Sequence, residues 1–549
     1  MNIAIGCSAE LRSLQIHSSI IYRETEVLTS NSWELLVGDQ TQRKPETNGD
    51  IVLGMADGYE GDFVIIGGGV AGVSCAEQLS HLCPDTKIKL FTASPLIKAV
   101  TNYQKVSRAL EDFDVEEKPS QWLEVKCPNV EVIRSEVKGL DPEQHLIKTS
   151  DGHHTRYSKI CICTGGSPKL IAADNPYILG IRDTESVRTF QKHLEGARRI
   201  IVVGNGGIAT ELVYEVEGCQ VIWAVKDQSI SSTFVDAGTA DFFLPHLVEE
   251  KKAGDVGPSK RLKYSVTKST GDDTSSKQPG VLGSALGPDW SSGLNMRGQG
   301  SQSHSVHVEY KCEIQELLTP DEAKKLGMTD AVPSASALSD HTNPWPVYAK
   351  LTNGKIYGCD FIVSATGVTP STNILAGVPS LKLGVDGGVE VDDHMRTSIA
   401  DVYAAGDVCT ATWDPAPNWI QMRLWSQARQ MGAYAAKCMV ADVTGETIPQ
   451  DFCFELFAHV TRFFGFKVVL LGKFNGQGLG SDYEVLLRMT KGVEFVKVVM
   501  HCGLMRGAIL IGDTDLEETF ENLILNEMDL SRYGEDLLDP NIDIEDYFD

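Results

Sequence analysis

The pattern of apolar and polar positions around residue 63 predicts a buried strand that leads directly into a helix. Four consecutive apolar residues, Phe63–Ile66, are typical of a parallel strand that is covered on both faces. A glycine-rich turn follows, and apolar residues then recur on a mixed face of a helix predicted over Val70–Leu82. The order of strand, glycine turn and helix is typical of the first half of a dinucleotide-binding unit.

The same order returns later in the chain. Arg199–Val203 is a second apolar run, and a glycine-rich turn and a helix predicted over 210–216 follow it. Each helix precedes another predicted strand, at 86–92 in the first unit and 221–225 in the second. This repeat predicts two dinucleotide-binding domains in one chain.

Three further predicted strands end at turns rich in small residues. Those turns are Thr164-Gly165-Gly166, Ala365-Thr366-Gly367 and Ala405-Gly406-Asp407. A helix is predicted over 421–440, after which four short apolar runs and an amphipathic helix over 516–530 form a different pattern. We therefore predict an α/β fold with two Rossmann-like dinucleotide-binding domains and a C-terminal α+β domain.

Changes in composition define the predicted domain boundaries. Residues 254–305 are rich in Gly, Ser, Lys and Asp, which predicts a long surface insertion. We predict an extension without fixed structure over 1–58, a discontinuous first dinucleotide-binding domain over 59–185 and 355–445, a second one over 186–354, and a C-terminal domain with an acidic tail over 450–549.

Net charge and cysteine content narrow the classes of function. The chain carries 75 acidic and 49 basic residues, for a formal net charge of −26. This balance disfavours nonspecific binding to nucleic acid or to anionic membranes, so we expect neither as a direct partner. The 13 cysteines are odd in number and include no C-x-x-C pair, which favours reduced thiols in the cytosol or nucleus. No apolar run reaches the roughly 18 residues of a transmembrane helix, and we assign no metal-ligating residues.

The glycines of the first turn have the G-x-G-x-x-G spacing that dinucleotide chemistry needs. Gly67 makes the tight turn, Gly69 lets a pyrophosphate approach the backbone, and Gly72 allows close packing of helix and strand. The pyrophosphate then lies at the helix N-terminus, where free N–H groups and the helix dipole favour anions. Gly204, Gly206 and Ala209 repeat this spacing in the second unit.

Two positions depart from the usual ribose-binding pattern. Thr92 and Ser94 stand where the first unit would ordinarily place an acidic residue, so a bidentate carboxylate contact is missing. In the second unit Val225 takes the acidic position and Lys226 follows it; this lysine either meets a 2′-phosphate or is simply solvated. The choice between NADH and NADPH therefore stays open.

The candidate cofactor-binding residues come from both units and from the three small-residue turns. They are Gly67, Gly68, Gly69, Val70, Ala71, Gly72, Thr92, Ser94, Lys98, Thr164, Gly165, Gly204, Gly206, Gly207, Ile208, Ala209, Lys226, Thr366, Gly367, Gly406 and Asp407. Asp407 has two compatible interpretations, as the N-cap of the helix predicted over 421–440 or as a carboxylate that binds a ribityl or ribose hydroxyl beside a flavin.

These motifs, in this order, resemble the pyridine nucleotide-disulphide oxidoreductase superfamily, and the resemblance covers about residue 63 to the C-terminus. It implies FAD on the first unit and on the Ala405–Asp407 turn, and NAD(P)H on the second unit. Stretches at 100–102, 283–290, 425–432 and 533–549 are similar to one eukaryotic member of the family. That similarity implies an NAD(P)H-oxidising flavoprotein of nucleus and cytoplasm that associates with the tRNA-splicing ligase complex and protects it from oxidative inactivation.

The chain departs from the family in its cysteines. Family members that reduce disulphides carry a cysteine pair roughly 40 residues after the first glycine, but residues 100–114 contain no cysteine. The chain resembles the enzyme class of disulphide reductases, but because the cysteine pair is missing we do not expect it to reduce disulphides. Cys161 and Cys163 lie two apart on one predicted strand and are interpreted as core thiols. No catalytic side chain is assigned, because the cofactors supply the chemistry.

Three functions follow as hypotheses: an NAD(P)H-dependent flavin oxidoreductase, a binding protein that docks on a partner while charged with NAD(P)H, and, less favoured, a thiol–disulphide reductase. The tail over 535–549 has seven acidic residues with interleaved Leu, Ile, Tyr and Phe. Such a segment either docks on a basic groove of a partner or folds back on its own domain. We expect the partner interaction.

Overall fold

The computed structural model describes residues 62–182, 184–248, 295–300, 305–326 and 345–539. The predicted extension over 1–58, most of the predicted insertion over 254–305 and the last part of the tail, 540–549, lie outside these ranges. Within the described ranges, no helix combines the length and the apolar character that a membrane-spanning helix requires.

The first domain begins with twelve elements in chain order. They are β1 (Phe63–Ile66), α1 (Val70–Leu82), β2 (Ile88–Thr92), β3 (Leu96–Lys105), β4 (Glu111–Pro119), α2 (Ser120–Lys126), β5 (Val130–Arg134), β6 (Val137–Asp141), β7 (Leu146–Thr149), β8 (His154–Arg156), β9 (Lys159–Ile162) and β10 (Gly166–Pro168).

The second domain follows without a break in the chain. Its elements are β11 (Ile178–Gly180), α3 (Thr184–Leu194), β12 (Arg199–Val203), α4 (Gly207–Glu215), β13 (Gln220–Val225), α5 (Ala237–Val248), β14 (Ser305–Tyr310), β15 (Ile314–Leu318), α6 (Pro320–Lys325), β16 (Val347–Leu351), β17 (Ile356–Cys359) and β18 (Phe361–Ser364).

The chain then returns to the first domain before it forms the C-terminal one. The returning elements are β19 (Val368–Pro370), β20 (Val389–Val391), β21 (Val402–Ala404), β22 (Cys409–Ala411) and α7 (Trp425–Thr444). The C-terminal domain contains β23 (Ala458–Phe463), β24 (Phe466–Gly472), β25 (Glu484–Thr490), β26 (Glu494–His501), β27 (Leu504–Ile511) and α8 (Glu517–Leu525). Short 3-10 helices lie at Asn373–Leu375, Phe452–Phe454 and Gly534–Leu538.

Each dinucleotide-binding domain is built on a five-stranded parallel sheet. The first sheet has the order β21-β9-β1-β2-β5, and the second has the order β11-β18-β12-β13-β14. In both sheets the strand that precedes the glycine turn, β1 or β12, is central and fully buried, as its apolar run predicts. The carboxyl ends of these central strands place the glycine turns at one edge of each sheet.

Strand pairing moves the boundary between the two domains. β11 and β18 pair in the second sheet, with Ile178 opposite Ile362, and β17 pairs with β16 beside it. The crossings between the domains therefore lie after β10 and before β19, which themselves pair with each other, rather than at 185/186 and 354/355. The two domains repeat the same arrangement, in which one strand of each parallel sheet ends in a Thr-Gly turn. β9 is that strand in the first domain and β18, which precedes Thr366, is that strand in the second.

The C-terminal domain is a five-stranded antiparallel sheet, β23-β24-β27-β26-β25, with α8 packed against it. It contains one strand, β23, in addition to the four predicted from apolar runs. Phe466 and Phe495 of this sheet pack against Phe242 of α5, so the C-terminal sheet shares a core with the second domain.

Candidate functional site

The first glycine turn has one open position between two closed ones. Gly67 has a φ of +122°, and a Cβ there would lie 2.1 Å from the carbonyl oxygen of Cys163. A Cβ on Gly72 would lie 1.9 Å from the carbonyl oxygen of Gly67. A Cβ on Gly69 would meet nothing within 4 Å, so this glycine leaves room in front of the N-terminus of α1.

The second turn repeats this geometry. Gly204 has a φ of +130°, and a Cβ there would lie 2.1 Å from the carbonyl oxygen of Ala365. A Cβ on Gly206 would approach only the hydroxyl of Thr233, at 3.9 Å. Ala209 is fully buried in α4. Both turns therefore pack their first glycine against a strand that ends in Thr-Gly and leave the third position open.

Both turns open onto one cavity of about 1610 Å³. Eighteen predicted residues line it: Gly67, Gly68, Gly69, Val70, Ala71, Thr92, Ser94, Lys98, Thr164, Gly165, Gly204, Gly206, Gly207, Ile208, Lys226, Thr366, Gly367 and Asp407. The other three, Gly72, Ala209 and Gly406, do not line it and serve the packing around it instead. Gly406, with φ +80°, passes so close to α1 that a Cβ would lie 2.8 Å from that of Ala71.

Asp407 lies in the cavity wall and forms an ion pair with Arg182. Arg182 also donates from Nε to the carbonyl oxygen of Gly166 at 3.1 Å, which fixes its guanidinium at the junction of the two domains. The N-cap interpretation of Asp407 is wrong, because α7 begins at Trp425 and its N-cap is Leu424. The helix prediction starting at residue 421 placed this end too early.

The part of the cavity that Thr92, Ser94 and Lys98 line contains a group that the sequence pattern did not reveal. Thr92 and Ser94 are joined in a local turn, in which the Ser94 amide donates to the Thr92 hydroxyl at 3.2 Å. The buried Glu117 lines the cavity from β4, directly across the β3–β4 hairpin from Lys98. A carboxylate is therefore present, but it comes from a hairpin instead of from the end of β2. No periodicity could have shown this, because the contact depends on how the hairpin folds over the sheet.

The second site has its own carboxylate, two residues past the expected position. Val225 is buried, whereas Lys226 and Asp227 both line the cavity. Asn205 and Ser232 donate to Oδ2 of Asp227 at 2.8 and 2.6 Å. Burial raises the pKa of Asp227, but these hydrogen bonds outweigh it and hold the pKa below its ordinary value. Asp227 is therefore ionised at neutral pH.

The third wall of the cavity comes from the C-terminal domain. His459, Thr461 and Phe463 of β23 all line the cavity, at alternate positions of one strand. The sequence pattern does not predict this strand, because His459, Thr461 and Arg462 interrupt its apolar residues. The alternation of Ala458–Phe463 was the available signal.

Two thiols lie close together beside the cavity. Cys163 lines it, and its sulfur lies 3.5 Å from that of Cys161. The hydrogen bond that the Cys163 thiol donates to Cys161, together with burial, raises the pKa of Cys163 well above its ordinary value, so this thiol stays protonated. The β3–β4 hairpin contacts the first glycine turn, since the Lys98 amide donates to the carbonyl oxygen of Gly68 at 2.9 Å, and the hairpin contains no cysteine. No disulfide bond links the cysteines within the described ranges.

Similarity to known proteins covers nearly all of the described chain. A family model described as pyridine nucleotide-disulphide oxidoreductase matches residues 61–238 and 330–432. Human pyridine nucleotide-disulfide oxidoreductase domain-containing protein 1 is 57% identical over 492 residues, which cover 89% of this chain and 98% of the human protein. The Drosophila melanogaster protein of the same name is 45% identical and covers 89% of this chain and 99% of its own length.

Solved structures with the same architecture are more distant in sequence. The water-forming NADH oxidase of Lactobacillus brevis bound to NADH has a TM-score of 0.58 at 16% identity, over 88% of this chain and 95% of that one. The covalent putidaredoxin reductase–putidaredoxin complex has a TM-score of 0.57 at 14% identity, over 86% of this chain and 94% of the reductase chain. These similarities confirm the predicted fold class.

Proposed function

Because the chain belongs to the pyridine nucleotide-disulphide oxidoreductase family, with FAD and NAD(P)H as its cofactors, we propose that it oxidises NAD(P)H through FAD without a redox-active cysteine pair. One observation carries this proposal. The two glycine turns, each at the N-terminus of a helix, open onto a single cavity. Two dinucleotides bound at these turns would share that cavity, which is what direct hydride transfer between them needs.

The residues of the cavity fit both cofactors. The open positions Gly69 and Gly206 would admit a pyrophosphate to each helix N-terminus, where the backbone N–H groups favour an anion. Asp407 would bind a hydroxyl of the flavin's ribityl chain, and Glu117 and Asp227 supply carboxylates for the ribose ends. When bound, FAD accepts a hydride from the reduced nicotinamide, and this transfer requires no acid or base from the protein.

Anaerobic titration of the purified protein with NADH and with NADPH tests the proposal. We expect a yellow protein with one FAD per chain, whose flavin absorbance is bleached by one nucleotide or by both. A protein that binds no flavin, or a flavin that neither nucleotide reduces, would contradict the proposal. The titration also shows which nucleotide is preferred and whether a charge-transfer complex persists.

A second function, an NAD(P)H-charged binding protein, is favoured by the protonated thiols. Without a reactive cysteine next to the flavin, electrons have no protein-based acceptor, and the reduced state could persist until a partner is met. Fast steady-state oxidation of NAD(P)H by oxygen would support the oxidoreductase. Slow turnover with retained NAD(P)⁺ would support the binding protein.

A thiol–disulphide reductase is the third and least supported function. Cys312 lines the cavity from the second domain, and four buried cysteines, Cys75, Cys161, Cys163 and Cys409, lie in the core of the first domain, where Cys163 also lines the cavity. Replacing all four by Ser or Ala should leave NAD(P)H oxidation largely intact, with some loss of core stability. If a variant that still unfolds cooperatively on heating lost flavin turnover, that result would support the thiol–disulphide reductase hypothesis.

For the cellular role we propose that the protein acts in nucleus and cytoplasm and protects the tRNA-splicing ligase complex from oxidation. Three features support this: the reduced thiols, the acidic tail, and a net charge of −26, which disfavours direct binding of nucleic acid. Ligase activity under oxidative stress, measured with and without the flavoprotein and NAD(P)H, tests the role. Equal inactivation in both samples would contradict it.

A further inference from the structure

Strand β23 extends from the first dinucleotide site to the second. At one end the ring of His459 lies against that of Trp425, the first residue of α7, with the ring centroids 4.9 Å apart. At the other end Phe463 packs on Phe234 and lies beside Gly207, the first residue of α4. The C-terminal domain therefore covers the region where a flavin on the first site and a nicotinamide on the second must meet.

His459 has one ring nitrogen with a partner and one without. Its Nδ1 lies 3.0 Å from the hydroxyl of Ser426, whereas Nε2 is buried and has no hydrogen-bond partner in the protein. The side chain is 1% exposed and lines the cavity. A buried polar atom without a partner is unfavourable for folding, so such an atom in a residue of the cavity wall points to a ligand that supplies the partner.

The ring is neutral in its surroundings. Burial lowers the pKa of His459 to about 3, and the neighbours that contact the ring are the uncharged Trp425 and Ser426. A neutral imidazole offers one N–H donor and one lone pair. When the Ser426 hydroxyl donates to Nδ1, Nε2 carries the N–H and is the donor of this cavity-lining side chain that has no partner in the protein.

We propose that Nε2 of His459 donates a hydrogen bond to the isoalloxazine of FAD, as the contact that the C-terminal domain makes to the flavin. The inference rests on the FAD site of the proposed function. The pyrimidine edge of a flavin presents more acceptors than donors, which matches an N–H group. A donor there stabilises the negative charge that this edge gains on reduction. The flavin midpoint potential should therefore depend on His459.

Two substitutions separate Nε2 from the rest of the side chain. His459→Asn keeps a polar atom near the position of Nδ1 for Ser426 but has none at the position of Nε2. His459→Gln is longer and reaches that position with its amide. The matched control is His394→Asn, since His394 contacts Asp393 and Ile448 through its two nitrogens and does not line the cavity.

The readouts are the FAD dissociation constant and the flavin midpoint potential, with thermal unfolding of each holoprotein as the check on folding. For His459→Asn we expect FAD to bind about tenfold more weakly and the potential to become more negative. For His459→Gln we expect both values to return most of the way to wild type. The His394→Asn control should leave both unchanged.

The outcomes separate the His459 contact from the FAD site on which it depends. FAD binding and potential that are unchanged in a folded His459→Asn variant would overturn the contact while leaving the proposed function intact. Equal defects in the Asn and Gln variants would assign His459 a packing role and also overturn it. A wild-type protein that binds no FAD would instead overturn the proposed function.

Discussion

At the scale of single residues, the pairing of Asp407 with Arg182 couples the flavin site to the junction between domains. Arg182 lies just before α3 of the second domain, whereas Asp407 follows β21 of the first. Asp407 is buried in the cavity wall, and the Arg182 guanidinium is the cationic partner of its carboxylate. A charged acceptor is what a ribityl hydroxyl would bind best.

We predict that Asp407→Ala weakens FAD binding by about 1.5–3 kcal/mol, because a charge-assisted hydrogen bond is lost and Arg182 is left without its carboxylate. The FAD dissociation constant, measured by fluorescence titration of the apoprotein, checks this value. Asp360→Ala is the control, since it removes the partner of Arg198 outside the cavity. Unchanged FAD affinity in Asp407→Ala would leave Asp407 with a structural role only.

The second glycine turn allows a sharp test of the nucleotide site. In Gly206→Val the side chain would enter the open space in front of α4, where only Thr233 is near, so folding should be normal while the pyrophosphate is blocked. We expect the flavin spectrum to persist and its reduction by NAD(P)H to vanish in stopped-flow measurements. Normal reduction kinetics would contradict the placement of the nucleotide.

Gly204→Ala is the contrasting variant at the same turn. Its φ of +130° and the 2.1 Å approach to the Ala365 carbonyl oxygen leave no room for a methyl group. This variant should lose about 2–4 kcal/mol of unfolding free energy, whereas Gly206→Val should lose much less. Denaturant unfolding of both variants separates a blocked site from a damaged fold.

At the scale of elements, the crossing of α1 and α7 sets the position of the first glycine turn. A Cβ on Gly432 of α7 would lie 2.1 Å from the carbonyl oxygen of Ala71 in α1. The two helices therefore approach each other closely at a residue that itself lines the cavity. The shape of the cavity beside the first glycine turn, where we propose that FAD binds, depends on this contact.

We predict that Gly432→Ala pushes α7 away from α1, lowers the melting temperature and reduces FAD content. The expected cost is about 1–3 kcal/mol, which is typical of overpacking. Gly377→Ala is the control, because a Cβ there meets nothing within 4 Å. Equal FAD content and stability in both variants would contradict the role of this helix crossing.

At the scale of the whole molecule, the C-terminal domain is part of the site and is anchored to the rest. Lys497 of β26 is almost fully buried and pairs with Asp236 of the second domain at 2.6 Å. The tail begins on the same domain, where Leu537 and Leu538 are buried in its core. We expected the whole tail over 535–549 to bind a partner, and for Leu537 and Leu538 this expectation is wrong, because both side chains pack in the core of their own domain. Residues 540–549 lie outside the described ranges.

The remaining tail gives a prediction about partners. Deleting residues 539–549 removes five of the seven acidic residues but keeps Leu537 and Leu538, so stability, FAD content and reduction by NAD(P)H should not change. We expect pull-down of the tRNA-splicing ligase complex to be lost, because the acidic and aromatic side chains that would dock on a basic groove are gone. Intact pull-down would move the interface elsewhere, with the insertion over 254–305 as the next candidate.

The sequence by itself determined the two dinucleotide units, because their features are local. Each unit consists of consecutive residues that form a buried strand, a glycine with a positive φ, as at Gly67 and Gly204, and a helix that begins directly after the turn. The same holds for the order of the domains and for the eighteen predicted residues that line the cavity. The boundaries at β11 and β18 could not be read this way, because strand pairing joins distant segments.

Only the tertiary structure decided which distant side chains complete the site. Arg182 meets Asp407 across 225 positions of sequence, Glu117 arrives on a hairpin, and His459 comes from another domain. Hydrophobic periodicity predicts whether a side chain is buried, but it does not predict which segment of the chain packs against it. For that reason the sequence pattern does not mark His459 as part of the site, and only the packing of β23 places this buried histidine in the cavity wall.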